Sequence, residues 1–296
     1  MTGRAAPPAA ARWELLRAVG AVAGDPDDAR ALCGALGWPG PGNAEHTEVF
    51  VLNCPPYASV YLGAEGGLGG DAADRVAGFW RAIAVTPPAE PDHLTALLSL
   101  YASLAEAAHD SRTAATADAL TRARRALFWE HLWPWLPGYL NAVADLRAPA
   151  LSPWARQALR VIRAERGTHP GGWLPLALRA APGPVTVAGG LGDLLDALTA
   201  PVRSGFILTR HRLAAGAVAA GAGHRIGERR FTLRAMLEQA PADTLRWLSG
   251  EAARWSRRHT AARSRDPVPE WWAVRARHTA DAMAVLSQNA AAGGRG

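Results

Sequence analysis

From Leu94 onward the apolar residues fall at Leu94, Leu97, Leu98, Tyr101, Leu104, Ala105 and Ala108. Steps of three and four put them all on one face of a helix, so this segment must be buried against other structure. The same period runs through most of the chain. Sustained strand alternation is hard to find, and runs of Val and Ile are short. The spacing predicts helices over 10–23, 26–37, 72–84, 91–109, 113–132, 135–147 and 152–165. Further helices are expected at 190–200, 209–220, 230–239, 241–260 and 269–288. Arg166-Gly-Thr-His-Pro-Gly-Gly172 and Ala181-Pro-Gly-Pro184 interrupt the pattern, so 166–184 reads as a linker. Asp266-Pro-Val-Pro269 separates the last two helices, and Ala290 to Gly296 is expected to be disordered. The fold expectation is all-α: a helical bundle over 1–165, the linker, and a C-terminal helical extension over 185–296.

Composition narrows the chemistry. At 49% hydrophobic and 20% charged the balance is that of a soluble globular protein. No apolar run approaches about 18 residues, so no membrane span is expected. The start MTGRAAPPAAARWELL lacks an apolar leader block and reads as a frayed tail, which points to the cytoplasm. Cys33 and Cys54 form neither a CxxC pair nor a disulfide framework. Lysine does not occur; all 32 basic residues are arginine. That excludes a Walker A lysine, a Schiff-base lysine and a pyridoxal phosphate anchor. The glycine-rich run Gly63 to Gly70 is therefore read as a flexible connection rather than a phosphate loop. Charge is unevenly spread: residues 1–150 carry 11 arginines against 16 acids, and 151–296 carry 21 against 10. The two halves are expected to do different work.

Just before the apolar stripe stands Glu90-Pro91-Asp92-His93. Acids and a proline suit a helix start, where backbone N–H groups are unpaired and negative charge is favoured. Neighbouring residues on a helix point different ways, so Asp92 and His93 do not make a metal pair. With no HExxH, no Cys/His cluster and no GxSxG, neither a metal site nor a catalytic residue is assigned. Upstream, Pro55-Pro56 stops the preceding helix. Tyr57, Val60 and Tyr61, with Ser59 between them, read either as a loop pinned to the core or as an aromatic wall beside the Glu90–His93 turn.

Together the two stretches resemble the TorD/DmsD family of redox-enzyme maturation chaperones. The carrying residues are Pro56-Tyr57-Ala58-Ser59-Val60-Tyr61-Leu62 and Glu90-Pro91-Asp92-His93-Leu94, followed by Leu127-Phe-Trp-Glu-His-Leu-Trp-Pro-Trp-Leu136. The likeness covers about residues 10–165. It implies a TorD-like all-α bundle that is no enzyme and needs no cofactor of its own. It also implies partners: the precursor of a molybdoenzyme catalytic subunit and its twin-arginine signal peptide, held while the molybdenum cofactor is inserted. Monomers and dimers are both compatible with it. The peptide-binding positions it implies are Tyr57, Ser59, Tyr61, Glu90, Asp92 and His93. A twin-arginine signal needs carboxylates within reach of guanidinium beside an apolar surface, and those residue types match.

The extension is harder to read. Arginines crowd the stretch from Arg203 to Arg234, and a helix-turn-helix can be drawn over 209–236. A DNA-binding regulator is thus the alternative function, although arginine is the chain's only strong base and glycine-turned hairpins are common. The extension is otherwise expected to meet the client or the phosphates of its cofactor. Trp247, Trp255, Trp271 and Trp272 are assigned to packing, and Asp243, Glu251 and His259 to solvated helix faces.

Overall fold

A computed structural model describes residues 9–169, 171–223, 227–260 and 266–293. The elements are α1 (Ala9–Ala21), α2 (Pro26–Ala35), α3 (Asn43–His46), α4 (Ala58–Leu62), α5 (Gly70–Ala82), α6 (Leu94–His109), α7 (Ala114–Ala126), α8 (Leu136–Asp145) and α9 (Leu151–Arg166). Then come α10 (Leu176–Arg179), α11 (Leu191–Thr199), α12 (Pro201–Ser204), α13 (Arg210–Ala220), α14 (Arg229–Gln239), α15 (Pro241–Thr260) and α16 (Pro267–Gly293). Two π-helical stretches, Thr47–Asn53 and Leu127–Leu132, continue α3 and α7. Among the described residues there is no β-strand, and the protein is all-α.

The chain forms two compact units: residues 1–58 with 73–170, and residues 59–72 with 171–296. In the first, α6 is central, and Leu94, Leu97, Leu98 and Tyr101 are wholly buried. α1 lies so close to α6 that a Cβ on Gly20 would stand 2.9 Å from the Cβ of Leu98. Thr95 ties the crossing by donating its hydroxyl to the Gly20 carbonyl at 2.8 Å. Trp129, Trp135 and Trp154 complete the core.

Tyr101 belongs to the apolar stripe, but its hydroxyl ends in a buried polar group. It donates to the carboxylate of Glu165 and lies 2.8 Å from His169 Nε2. Arg12 approaches the other Glu165 oxygen at 3.6 Å. Burial pushes the Glu165 carboxyl up, but hydrogen bonds from His169 and Tyr101, with the charges of His169 and Arg12, outweigh it and pull it down to about 2. Glu165 therefore stabilises the fold above its ordinary 4.5, and that contribution is lost as pH falls from there toward about 2. Glu165→Gln should cost about 2–4 kcal/mol at pH 7 and flatten the acid limb of stability against pH, read by urea unfolding.

The second unit is built on the α15–α16 hairpin, with Leu248, Trp255, Ala273 and Met283 buried. Two residues expected on solvated faces are not there. Glu251 is buried, held by Arg212 and Arg254, because two guanidiniums offset its desolvation. His259 packs between the rings of Trp255 and Trp272, and burial lowers it to about 4. α16 also continues to Gly293, so 290–293 are helical; 294–296 and 1–8 lie outside the described residues, and the rest of the stretch expected as an N-terminal tail belongs to α1. The stretch expected as a linker contains α10, whose Ala177 and Leu178 are buried.

Residues 59–72 pack with the second unit. Gly66, at φ +64°, sits against the chain at Thr199 and Ala200, where a Cβ would come within 2.8 Å of backbone atoms. Arg229 donates to the Gly66 carbonyl at 3.3 Å. The glycine run is thus a docked turn, with Val60, Tyr61 and Leu62 buried beside it. A chain ending at residue 170 should expose these three, each worth about 1.5–3 kcal/mol. It should aggregate on size-exclusion chromatography where the full chain does not.

The helices drawn for a helix-turn-helix exist as α13 and α14, with Gly221 in the left-handed region; 224–226 lie outside the described residues. Three of their five arginines are engaged inside the unit. Arg212 pairs with Glu251, Arg230 with Asp196, and Arg229 with the carbonyls of Leu208 and Gly66. The DNA-binding reading finds no support in this arrangement.

Candidate functional site

The Glu90–His93 turn lies in the first unit and is fastened to the residues after Pro55. Leu94 donates its N–H to the Pro56 carbonyl at 2.8 Å, and Ala58 donates to the Asp92 carbonyl at 3.1 Å. These two bonds make an antiparallel bridge with Tyr57 opposite His93. Trp80 holds the turn from α5, its indole N–H donating to the Pro91 carbonyl at 3.1 Å. Nothing in the sequence marks Trp80 for this, since it reads as one more apolar position of a predicted helix.

The helix begins later than its acids suggest. α6 starts at Leu94, and its N-cap is His93, in extended conformation at φ −66° and ψ 140°. His93 Nδ1 accepts the N–H of Thr95 at 3.2 Å. Pro91 therefore precedes the first turn, and the imidazole does what Asp or Ser does at most helix starts. Burial lowers the His93 pKa against the opposing pull of Glu90 and Asp92, so the ring is neutral near pH 7. With Nδ1 accepting, the proton is assigned to Nε2.

The side chains divide by exposure. Glu90 is exposed, and its carboxylate accepts the Tyr57 hydroxyl at 2.9 Å. The Tyr57 ring is half-buried and meets the His93 ring edge-on at 4.7 Å. Burial, then the bond to Glu90 and the charges of Glu90 and Asp92, push the Tyr57 phenol up to about 12, so it remains a donor. Asp92 is only 4% exposed. It lies beneath the turn, where its main chain makes the bridge.

Ser59 and Tyr61 are placed otherwise than an aromatic wall requires. They belong to the second unit and are 0% and 2% exposed. The Ser59 hydroxyl accepts the Gly69 N–H at 3.2 Å, and the Tyr61 side chain is buried. The reason is local: 58–62 form a single helical turn with no exposed face among Ala58, Ser59, Val60, Tyr61 and Leu62. The structure thus brings Tyr57, Glu90, Asp92 and His93 together in one unit and sets Ser59 and Tyr61 in the other.

The arrangement is a rigid turn presenting one oriented carboxylate, a phenol and a neutral imidazole. It offers hydrogen bonds and negative charge. Residues 43–141 match the family described as nitrate reductase delta subunit, of the NarJ/TorD chaperone type, which agrees with the TorD/DmsD resemblance. The match takes in Tyr57, Ser59, Tyr61 and the whole Glu90–His93 turn. Neither the curated proteins nor the solved structures give a significant match. The family points to a molybdoenzyme maturation chaperone, a class that is generally non-catalytic. No helix among the described residues is long and apolar enough to cross a membrane.

The histidine cap makes the turn sensitive to acid. Protonating Nδ1 removes the acceptor for Thr95, so stability is lost as pH falls below the ordinary 6.5 toward the lowered value. His93→Asn keeps a cap that does not titrate. It should remove part of the slope of unfolding free energy between pH 7 and 5, and the wild-type ring should titrate below 6.5 by NMR.

Proposed function

We propose that the Glu90–His93 turn is the handle by which this chaperone grips the twin-arginine signal peptide of a molybdoenzyme precursor. The observation that carries this reading is the Tyr57–Glu90 hydrogen bond at 2.9 Å on an exposed turn. It holds a carboxylate in one orientation before any ligand arrives, and a preoriented carboxylate loses less entropy on binding guanidinium. Glu90 retains acceptor capacity after taking the phenol proton, enough for a forked arginine. Asp92 supports the grip as a second negative charge below the turn, and His93 sets the turn's geometry as helix cap. The apolar part of the signal is assigned to the surface around the Tyr57 and His93 rings. Ser59 and Tyr61 act in this reading through the fold, by packing α4, rather than by touching the peptide.

The proposed action is physical retention. While the arginines are held, the precursor is kept from export or assembly until its cofactor is in place, and no bond is made or broken by the chaperone. The site for this is in the cytoplasm, where such precursors are made.

Calorimetric titration of a synthetic twin-arginine peptide into the full chain tests the assignment. Glu90→Gln should weaken binding about tenfold, the value of one charge-assisted hydrogen bond. Tyr57→Phe should weaken it less, and a twin-lysine peptide should bind more weakly than the arginine one. Equal affinity of wild type and Glu90→Gln would show that the peptide is held elsewhere.

A further inference from the structure

Two arginines of the second unit stand together without a counter-charge. α12 is pressed onto the middle of α16, where Gly205, at φ +79°, leaves room for no side chain: a Cβ there would lie 2.2 Å from the Ala276 nitrogen. Thr279 donates its hydroxyl to the Ser204 carbonyl at 2.8 Å. Arg275 donates from Nη1 to the carbonyls of Val202 at 3.0 Å and Pro182 at 2.6 Å. Its guanidinium lies 4.4 Å over the Trp271 ring. These contacts fix Arg275 and bring the next residue of α12, Arg203, beside it.

The pair is not balanced inside the protein. Among the described residues neither arginine makes an ion pair with an acid. Arg203 Nε is buried and has no hydrogen-bond partner. Burial, and after it the charge of Arg203, lower the Arg275 pKa, so each guanidinium disfavours the other. Four arginines of α13–α15 behave differently: Arg212, Arg230, Arg246 and Arg254 each meet a carboxylate. The Arg275 guanidinium is held in place, both side chains are half-buried with unspent donors, and neither pairs with an acid among the described residues, so the pair lacks an anion.

We propose that Arg203 and Arg275 form a binding site for a phosphate group. Arginine forks match the tetrahedral oxygens of phosphate, and a doubly charged anion relieves the repulsion of the pair. Nη1 of Arg275 is committed to the two carbonyls, leaving its other nitrogens as donors; Arg203 supplies its whole fork, including the unpartnered Nε. Trp271 covers one face of Arg275 and keeps water from it. The site is independent of the Glu90 turn and of its peptide.

Calorimetry of the full chain with inorganic phosphate, at ionic strength matched with chloride, tests the site. Binding should be saturable, weakened about tenfold or more in Arg203→Gln, partly kept in Arg203→Lys, and unchanged in Arg257→Gln, an exposed arginine. Arg203 is chosen because Arg275 also braces the fold, and circular dichroism checks that each variant is folded. A parallel titration with glycerol 3-phosphate separates two sources of the same chemistry: tighter binding than inorganic phosphate assigns the site to a phosphate ester, weaker binding to the free ion. No saturable phosphate binding, or equal binding by Arg203→Gln, overturns the proposal.

Discussion

The first unit depends on how α6 begins. One end of this helix enters the core with Leu94 fully buried, and the residues just before it must turn sharply into solvent. The turn is secured by backbone bonds to Pro56 and Ala58, the indole of Trp80 and the imidazole of His93. These bonds hold the turn's main chain in place. Glu90 is left on the surface and Asp92 under it. In the proposed reading, structure and recognition are thus divided between neighbouring residues of one short segment.

This division explains how much of the molecule was legible in sequence. The helices could be read because their burial repeats with the helical period, and α6 showed it most clearly. The start of α6 could not, because acids and a proline are equally at home at a cap or just before one, and an imidazole cap has no distinctive pattern. The π-helical stretches were invisible for a similar reason: one added residue per turn leaves composition unchanged. Phe128 and Trp129 are buried there, so the widened turn serves packing.

The candidate site was legible as two motifs but not as a geometry. The resemblance pointed to Tyr57, Glu90, Asp92 and His93, and the structure puts those four in contact range of one turn. The bond between Tyr57 and Glu90 crosses 33 positions of sequence, and no local pattern reports it. Ser59 and Tyr61 illustrate the opposite failure. A tyrosine in a short apolar stretch reads equally well as wall or core, and only packing decides; here both residues are buried. Charge was the weakest guide. With arginine as the only strong base, a count of basic residues could not separate Arg212 and Arg230, which meet carboxylates, from Arg203 and Arg275, which do not.

The basic second half thus carries arginines engaged internally, such as Arg212, alongside exposed ones, such as Arg257 and Arg277. Its acids are few, and Arg212 and Arg230 each use one to fasten two helices together. The central claim concerns the other half: that the segment before α6 is where a client peptide is gripped. Hydrogen–deuterium exchange of the full chain with and without a twin-arginine peptide tests it most directly. The claim predicts slowed exchange at 56–58 and 89–95 on adding peptide, since a ligand on Glu90 damps opening of the bridge beneath it. Unchanged exchange there, with protection appearing in another part of the chain, would contradict it.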